Sequence, residues 1–374
     1  MYAARLAAEL KKNADVELFG MGGAEMRAAG VEVVTDYSEV NVLGITEILS
    51  HLPQLRRAMR NLVSWARSRK PALAILTDFP GFHLRLSRKL KPLGVKNVYY
   101  ICPQFWAWRP WRANLVRRRF ALALCIFPFE EKFFGAAGVP VKFIGHPLVG
   151  EVRASLSRGE FEERHELDSS RRTVAILPGS RWGEIARHLP TLLESVRELE
   201  RQMPGACSFV LALSTGTELA RVKALIPAEM RLTIVQGETY SALAAADAAM
   251  ICSGTATVEA ALLDVPMIVV YRVSKLTALL AKPLIRTKYF GMVNLIAERE
   301  VALELIQEDF RPQKIAEEIR KLLEPTRAAQ ARTDLAEVRR RLGPPGAVQR
   351  AAEAILELLP NAARLGAKQS GNAS

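Results

Sequence analysis

The sequence predicts two α/β domains in one chain, each a mostly parallel sheet wound on both faces by helices. Three observations carry that expectation. The chain has 374 residues, beyond the size at which a single hydrophobic core keeps growing. Short β-branched and apolar runs alternate with helical stretches from end to end, and near-continuous apolar strands between helices mean a parallel sheet buried on both faces. Two of the strands run straight into Gly-Ser or Ser-Gly turns that open helices, where ligand-binding turns sit in an open α/β sheet.

In the first domain, residues 1–165, strands are expected at Val16–Phe19, Val31–Val34, Ala72–Leu76, Val98–Ile101, Leu122–Phe127 and Val141–Ile144, with a helix over Leu55–Ser68. In the second, residues 170–340, strands are expected at Thr173–Leu177, Ser208–Leu213, Leu232–Val235, Ala249–Cys252 and Pro266–Val270. Helices there cover Gly183–Arg201, Thr217–Leu225 and Thr257–Leu263. The polar stretch Glu151–Arg172 reads as a linker running into the first strand of the second domain. After Gly343-Pro344-Pro345 an amphipathic helix covers Ala347–Leu358, and Asn361–Ser374 reads as a disordered tail.

Hydrophobic residues are 49% and charged residues 24% of the chain, a globular composition with material for two cores. No apolar run reaches the length that spans a bilayer, and the opening residues lack the pattern of a signal peptide. Cys102, Cys125, Cys207 and Cys252 lie far apart in apolar runs, which suits buried thiols in a reducing compartment better than disulfides or zinc. Residues 1–150 hold 22 Lys and Arg against 11 Asp and Glu, so they carry +11 of the chain's +13. Such an excess suits an anionic partner, though an evenly solvated basic surface is the commoner cause.

Five segments carry candidate chemistry. In Leu177-Pro178-Gly179-Ser180-Arg181, a strand end meets a helix start: the backbone can approach a phosphate, helix amides point at it, and Arg181 adds a charged contact. A plain strand-to-helix turn would look the same. In Cys252-Ser253-Gly254-Thr255, small residues and hydroxyls open a second helix, with Glu259 placed to meet a ribose diol or merely to serve the helix end. Two such turns in one domain favour a nucleotide site. In Thr77-Asp78-Phe79-Pro80-Gly81-Phe82-His83, an acid leaves a strand end where a general base for an acceptor hydroxyl would sit, with His83 as the alternative base and an Asx-turn as the structural one. The run Pro103-Gln104-Phe105-Trp106-Ala107-Trp108-Arg109 interleaves aromatics and arginines as a nucleic-acid platform does. It equally suits a large phosphorylated acceptor, and no nucleic-acid fold signature accompanies it. In Val40–Arg60, Val42, Leu43, Ile48, Leu49 and Leu52 stand beside Arg56, Arg57 and Arg60, a pattern that suits a membrane surface or, more often, a core-facing stripe.

Taken in order, these segments resemble the lipid-A-disaccharide synthase family from Met1 to about Leu358. The likeness rests on residues 20–26 (GMGGAEM), 42–49 (VLGITEIL), Asp78-Phe79-Pro80, 103–109 (PQFWAWR), 143–147 (FIGHP), 177–181 (LPGSR), 253–256 (SGTA), Asn294-Leu295-Ile296 and Leu305-Ile306-Gln307. It implies a GT-B fold, two Rossmann-like domains facing across a cleft, with the C-terminal helix 346–360 completing the first. It implies an inverting transfer without metal or cofactor, from UDP-2,3-diacylglucosamine to 2,3-diacylglucosamine 1-phosphate, forming a β(1→6) link. By resemblance Asp78 is the catalytic base, and Gly179, Ser180, Arg181, Ser253, Gly254, Thr255 and Glu259 hold the nucleotide. His83, Gln104, Trp106, Arg109, Asn294 and Gln307 face the acceptor or cleft. The resemblance also implies peripheral attachment to the cytoplasmic face of the inner membrane through the Val40–Arg60 patch, no nucleic-acid partner, and a homodimer exchanging C-terminal segments.

The chain departs from the family at Gly81, His83 and Val293. It also opens on a helix without an N-cap where a Rossmann-like half begins with a strand and a Gly-rich turn. Met1 therefore reads as an internal methionine, and the 374-residue form is expected to be poorly soluble or inactive. Two other readings compete. A UDP-N-acetylglucosamine 2-epimerase of the same fold would share the nucleotide site but give no reason for Val40–Arg60 or the Trp-Ala-Trp-Arg run. A basic nucleic-acid-binding protein would show steep salt dependence and no UDP binding.

Overall fold

The computed structural model describes residues 1–37, 52–274 and 287–359. The chain divides into two compact units, Met1–Pro147 together with Pro344–Ser374, and Leu148–Gly343.

In the first unit, β1 (Phe19–Gly22) pairs in parallel with β2 (Glu32–Asp36), the register shifting between Gly20 and Met21. Four more parallel strands form a separate sheet in chain order: β3 (Leu73–Thr77), β4 (Lys96–Tyr100), β5 (Leu122–Cys125) and β6 (Val141–Phe143). β1 begins three residues later than the apolar run suggests. Pairing sets its start, since the first rung joins the Glu32 N–H to the Leu18 carbonyl and Phe19 then faces Glu32. The helix Leu52–Arg69 turns Met59, Val63 and Ala66 inward at helical spacing, against a core that includes Leu76, Tyr99 and Phe105. The helix Ala347–Leu356 packs on the helix Tyr2–Asn13, whose Ala4, Leu6, Ala7 and Leu10 are buried. Arg350 anchors that return of the chain, donating from Nε to the Ile144 carbonyl at 2.8 Å and from its terminal nitrogens to the carbonyls of Pro344 and Pro345.

The second unit is one six-stranded parallel sheet. Its strands are β7 (Arg172–Leu177), β8 (Cys207–Leu213), β9 (Thr233–Gln236), β10 (Ala248–Cys252), β11 (Met267–Tyr271) and β12 (Glu304–Ile306), in the order β12-β11-β10-β7-β8-β9. From β7 the chain steps outward through β8 to β9, then returns to the other side of β7 and steps outward again. The order therefore reverses between β7 and β10. The central strands read as unbroken apolar runs because both faces are covered, and β10 is buried along its whole length. The presumed linker contains a helix, Arg158–Arg164, which sequence reasoning missed. Its signal was Ser157 three residues before Glu160: each side chain caps the other's backbone N–H.

All four cysteines are buried free thiols. Among the described residues no helix is long and apolar enough to cross a membrane.

Candidate active site

In an open α/β sheet, ligands bind beyond the carboxyl ends of the strands where the strand order reverses. Here that point lies between β7 and β10, and the two glycine turns leave just these strands. Pro178–Arg181 follows β7 and opens the helix Trp182–Gln202, while Ser253 and Gly254 follow β10 and open the helix Thr255–Leu262. Gly179 has φ +123, and a Cβ there would stand 2.6 Å from the Cβ of Glu184, so this position needs glycine for both shape and space. The amides of Ser180 and Arg181 donate to Glu184 Oε2 at 3.1 and 3.3 Å, with the exposed Arg181 guanidinium 3.7 Å from the same carboxylate. The loop thus already gathers its donors around one anionic group. On the second turn the Ser253 hydroxyl donates to the Phe290 carbonyl. Glu259 lies half-buried with the Tyr240 hydroxyl at 3.3 Å, and burial holds its carboxyl above the usual range.

A residue not singled out from the sequence organises this edge. His188 is fully buried, and it touches the ends of three strands. The Arg272 N–H after β11 donates to Nε2 at 3.0 Å. Nδ1 then carries the proton and meets the Pro178 carbonyl, after β7, at 3.1 Å. The Cys252 thiol at the end of β10 lies 3.4 Å from Nδ1. Burial lowers the histidine's pKa and keeps the ring neutral. Arg272 in turn donates to the carbonyls of Gln307 and Phe310, and the Val273 N–H donates to Gln307 Oε1 at 2.7 Å. Gln307, with φ +53 at the end of β12, is therefore tied through Arg272 to the phosphate-type loop. A polar group amid an apolar helix face is a visible sequence signal, but only the fold shows what it bridges.

Asn294 corrects an expectation. It is fully buried and does not face a ligand. Its amide donates to the Ala302 carbonyl and Glu304, and its oxygen accepts from the Val301 and Ala302 amides, so the whole side chain is spent holding the turn before β12.

In the first unit, Asp78 leaves the end of β3 exposed, and it and Phe79 take left-handed backbone angles, φ +55 and +43. Ile101 does so at the end of the neighbouring β4, φ +62. Such conformations in non-glycine residues cost about 1–3 kcal/mol each and collect at functional sites. His83 does not stand free as an alternative base. It is buried against Phe79 and Phe82, its Nδ1 lies 2.6 Å from the Asp78 carbonyl, and burial lowers its pKa. The Tyr99 hydroxyl donates to the same carbonyl at 3.3 Å.

The segment after β4 is divided. Phe105 is buried, and Trp106 turns inward, its indole N–H donating to Glu130 Oε1 at 3.1 Å. Glu130 is itself fully buried, takes the Ile126 and Phe127 amides on its other oxygen, and is pushed by burial up to about 7. Gln104 and Trp108 lie exposed, and Arg109 is half-buried. Of the expected membrane patch, Val42, Leu43, Ile48 and Leu49 lie outside the described residues; Leu52 is half-buried at the start of its helix.

Parallel-sheet units with paired glycine turns at a strand-order reversal define the class by its fold, the GT-B architecture. Solved structures of that architecture agree in fold, at TM-score 0.60. The calicheamicin glycosyltransferase is 15% identical, covering 96% of this chain and 95% of that one. A UDP-N-acetylglucosamine 2-epimerase described from Listeria monocytogenes is 12% identical, covering 94% and 90%. Sequence comparison separates what the fold alone leaves together. Residues 1–358 match the family described as lipid-A-disaccharide synthetase. The lipid-A-disaccharide synthase of Myxococcus xanthus is 41% identical over 362 residues, 96% of this chain and 94% of that one. The chain belongs to the lipid-A-disaccharide synthetase family, and is a glycosyltransferase of lipid A biosynthesis.

Proposed function

We propose that the chain transfers 2,3-diacylglucosamine from its UDP derivative to the 6-hydroxyl of 2,3-diacylglucosamine 1-phosphate. The observation that carries this reading is the pair of glycine turns at the reversal between β7 and β10, in a chain of this family. The Gly179–Arg181 amides and the Arg181 guanidinium take diphosphate oxygens, displacing Glu184 from the loop. Ser253, Gly254 and Thr255 complete the phosphate contacts, and Glu259 accepts from the ribose hydroxyls. Asp78 removes the proton of the acceptor hydroxyl as its oxygen attacks the anomeric carbon from the face opposite UDP. The bond from that carbon to the phosphate oxygen breaks, UDP leaves, and the configuration inverts to β. Gln104 and Arg109 contact the acceptor, Trp106 backs them from within by its bond to Glu130, and Gln307 supports the nucleotide edge. The enzyme works as a peripheral protein on the cytoplasmic face of the inner membrane, in reach of its lipid substrates; a homodimer exchanging C-terminal segments rests on family resemblance alone.

Incubation with both acylated glucosamines tests this. UDP and a disaccharide 1-phosphate are expected in equal amounts, only when both substrates are present. Conversion of a UDP-sugar without acceptor would favour epimerisation and overturn the reading.

A further inference from the structure

Among the described residues, five large hydrophobic side chains stand exposed, and two of them, Trp108 at 38% and Trp111 at 58%, are neighbours. Both indoles flank one guanidinium: Arg112 lies 5.2 Å from the Trp108 ring centre and 5.5 Å from that of Trp111. Phe105 backs the same cation from the core at 5.6 Å, and Arg109 lies 4.5 Å over Trp108. Arg112 Nε is buried without a hydrogen-bond partner. Like charges crowd it: burial, then Arg109 and Arg85, hold Arg112 below its ordinary pKa, and burial with Arg88 and Arg118 does the same to Arg119. Arg85 and Arg88 reach this face from the helix Pro80–Leu90, which packs on the helix Ala113–Arg119.

Other arginines are paired, Arg27 and Arg69 in the first unit among them. Arg158, Arg172, Arg299, Arg339 and Arg341 all have carboxylate partners. Arg85, Arg109 and Arg112 have none among the described residues, and an anionic partner would relieve their repulsion. A free phosphate would satisfy the charges but gives no reason to expose two indoles. A bilayer surface satisfies both, because indoles settle at headgroup depth and arginines take lipid phosphates.

We propose that Trp108, Trp111, Arg85 and Arg112 form a contact for an anionic lipid surface. The inference rests on the reading of the enzyme as a peripheral membrane protein and adds where it touches. It divides the aromatic–arginine segment by role: Trp106 points inward to Glu130, while Trp108 and Trp111 point out to lipid.

The test is flotation of the full chain with vesicles of phosphatidylcholine alone and of phosphatidylcholine with phosphatidylglycerol. The wild type should partition preferentially to the anionic vesicles, and added salt should weaken this by screening. W108A/W111A should lower that partition about tenfold or more, and R85Q about fivefold. UDP affinity by calorimetry and the thermal midpoint should stay at wild-type values in both. Wild-type partition by these variants, or equal binding to neutral and anionic vesicles, would overturn the proposal. So would a loss confined to glucosamine 1-phosphate binding, which would mark a free-phosphate site, or a loss confined to single-stranded nucleic acid. A wild type that binds UDP but no vesicle would remove the peripheral reading as well, whereas vesicle binding indifferent to the variants removes only this patch.

Discussion

Replacing His188 with alanine separates the site from mere packing. The substitution deletes the Nδ1–H bond to the Pro178 carbonyl and the acceptor for the Arg272 N–H. Leaving a buried donor and acceptor unsatisfied costs about 1–3 kcal/mol each, so His188→Ala should lose roughly 2–6 kcal/mol of stability. That is a large share of a typical total of about 5–15 kcal/mol, yet the second unit should still fold in the cold. The functional consequence follows from what the ring bridges. Without it the loop carrying Gly179–Arg181 and the strand end carrying Arg272 and Gln307 are no longer held in one geometry. UDP should then bind about tenfold more weakly, equivalent to about 1.4 kcal/mol, and His188→Asn, which keeps a donor near the Nδ1 position, should recover part of the loss. Urea unfolding gives the first quantity and calorimetry with UDP the second. A variant destabilised as expected but with wild-type UDP affinity would make His188 a packing residue only. A variant losing less than about 1 kcal/mol would refute the hydrogen-bond network itself.

Three other substitutions probe the remaining roles. Arg181→Ala should weaken UDP binding tenfold or more, since a charged hydrogen bond contributes about 1.5–3 kcal/mol; unchanged affinity by calorimetry would take Arg181 out of the nucleotide site. Asp78→Asn should keep the fold and UDP binding but lose about 10²–10⁴ in turnover, and a near-wild-type rate of disaccharide formation would move the base elsewhere. Glu130→Gln should change the pH dependence of stability. The Glu130 carboxyl is raised from 4.5 to about 7, so its stabilisation is complete below 4.5 and is lost as pH rises to about 7. At about 1.4 kcal/mol per unit the loss is on the order of 3 kcal/mol. His146 runs the opposite way: burial lowers it from 6.5 to about 4, so its contribution is lost as pH falls through that window. Urea midpoints of Glu130→Gln should therefore rise more steeply with pH between 4.5 and 6.5 than those of the wild type; parallel curves would show that Glu130 titrates in the fold as it does in the unfolded chain.

Much of this molecule is legible in its residues alone, and the reason is local. Parallel strands covered on both faces must be apolar throughout, so Thr173–Leu177 and Ala249–Cys252 announce themselves, and a tight strand-to-helix turn with positive φ needs glycine, as at Gly179. The capping pair Ser157 and Glu160 was equally readable, though its helix was passed over. What the chain order cannot carry is adjacency. β7 and β10 are separated by two strands in sequence and hydrogen-bonded in space, and only that pairing puts the two glycine turns at one reversal point. The same holds for side chains whose type suits several duties. His83 by its type and Asn294 by family resemblance look like ligand contacts, but burial and hydrogen bonds to nearby backbone commit them to shaping turns. His188 looks like a core residue and is one, yet three strand ends meet around it, the Gly179–Arg181 turn among them. Trp106 and Trp108 stand two residues apart in one helical turn, too close in sequence to tell apart and pointing to opposite surroundings. Residue chemistry states what a group can do; burial and the partners supplied by distant strands decide which of those things it does.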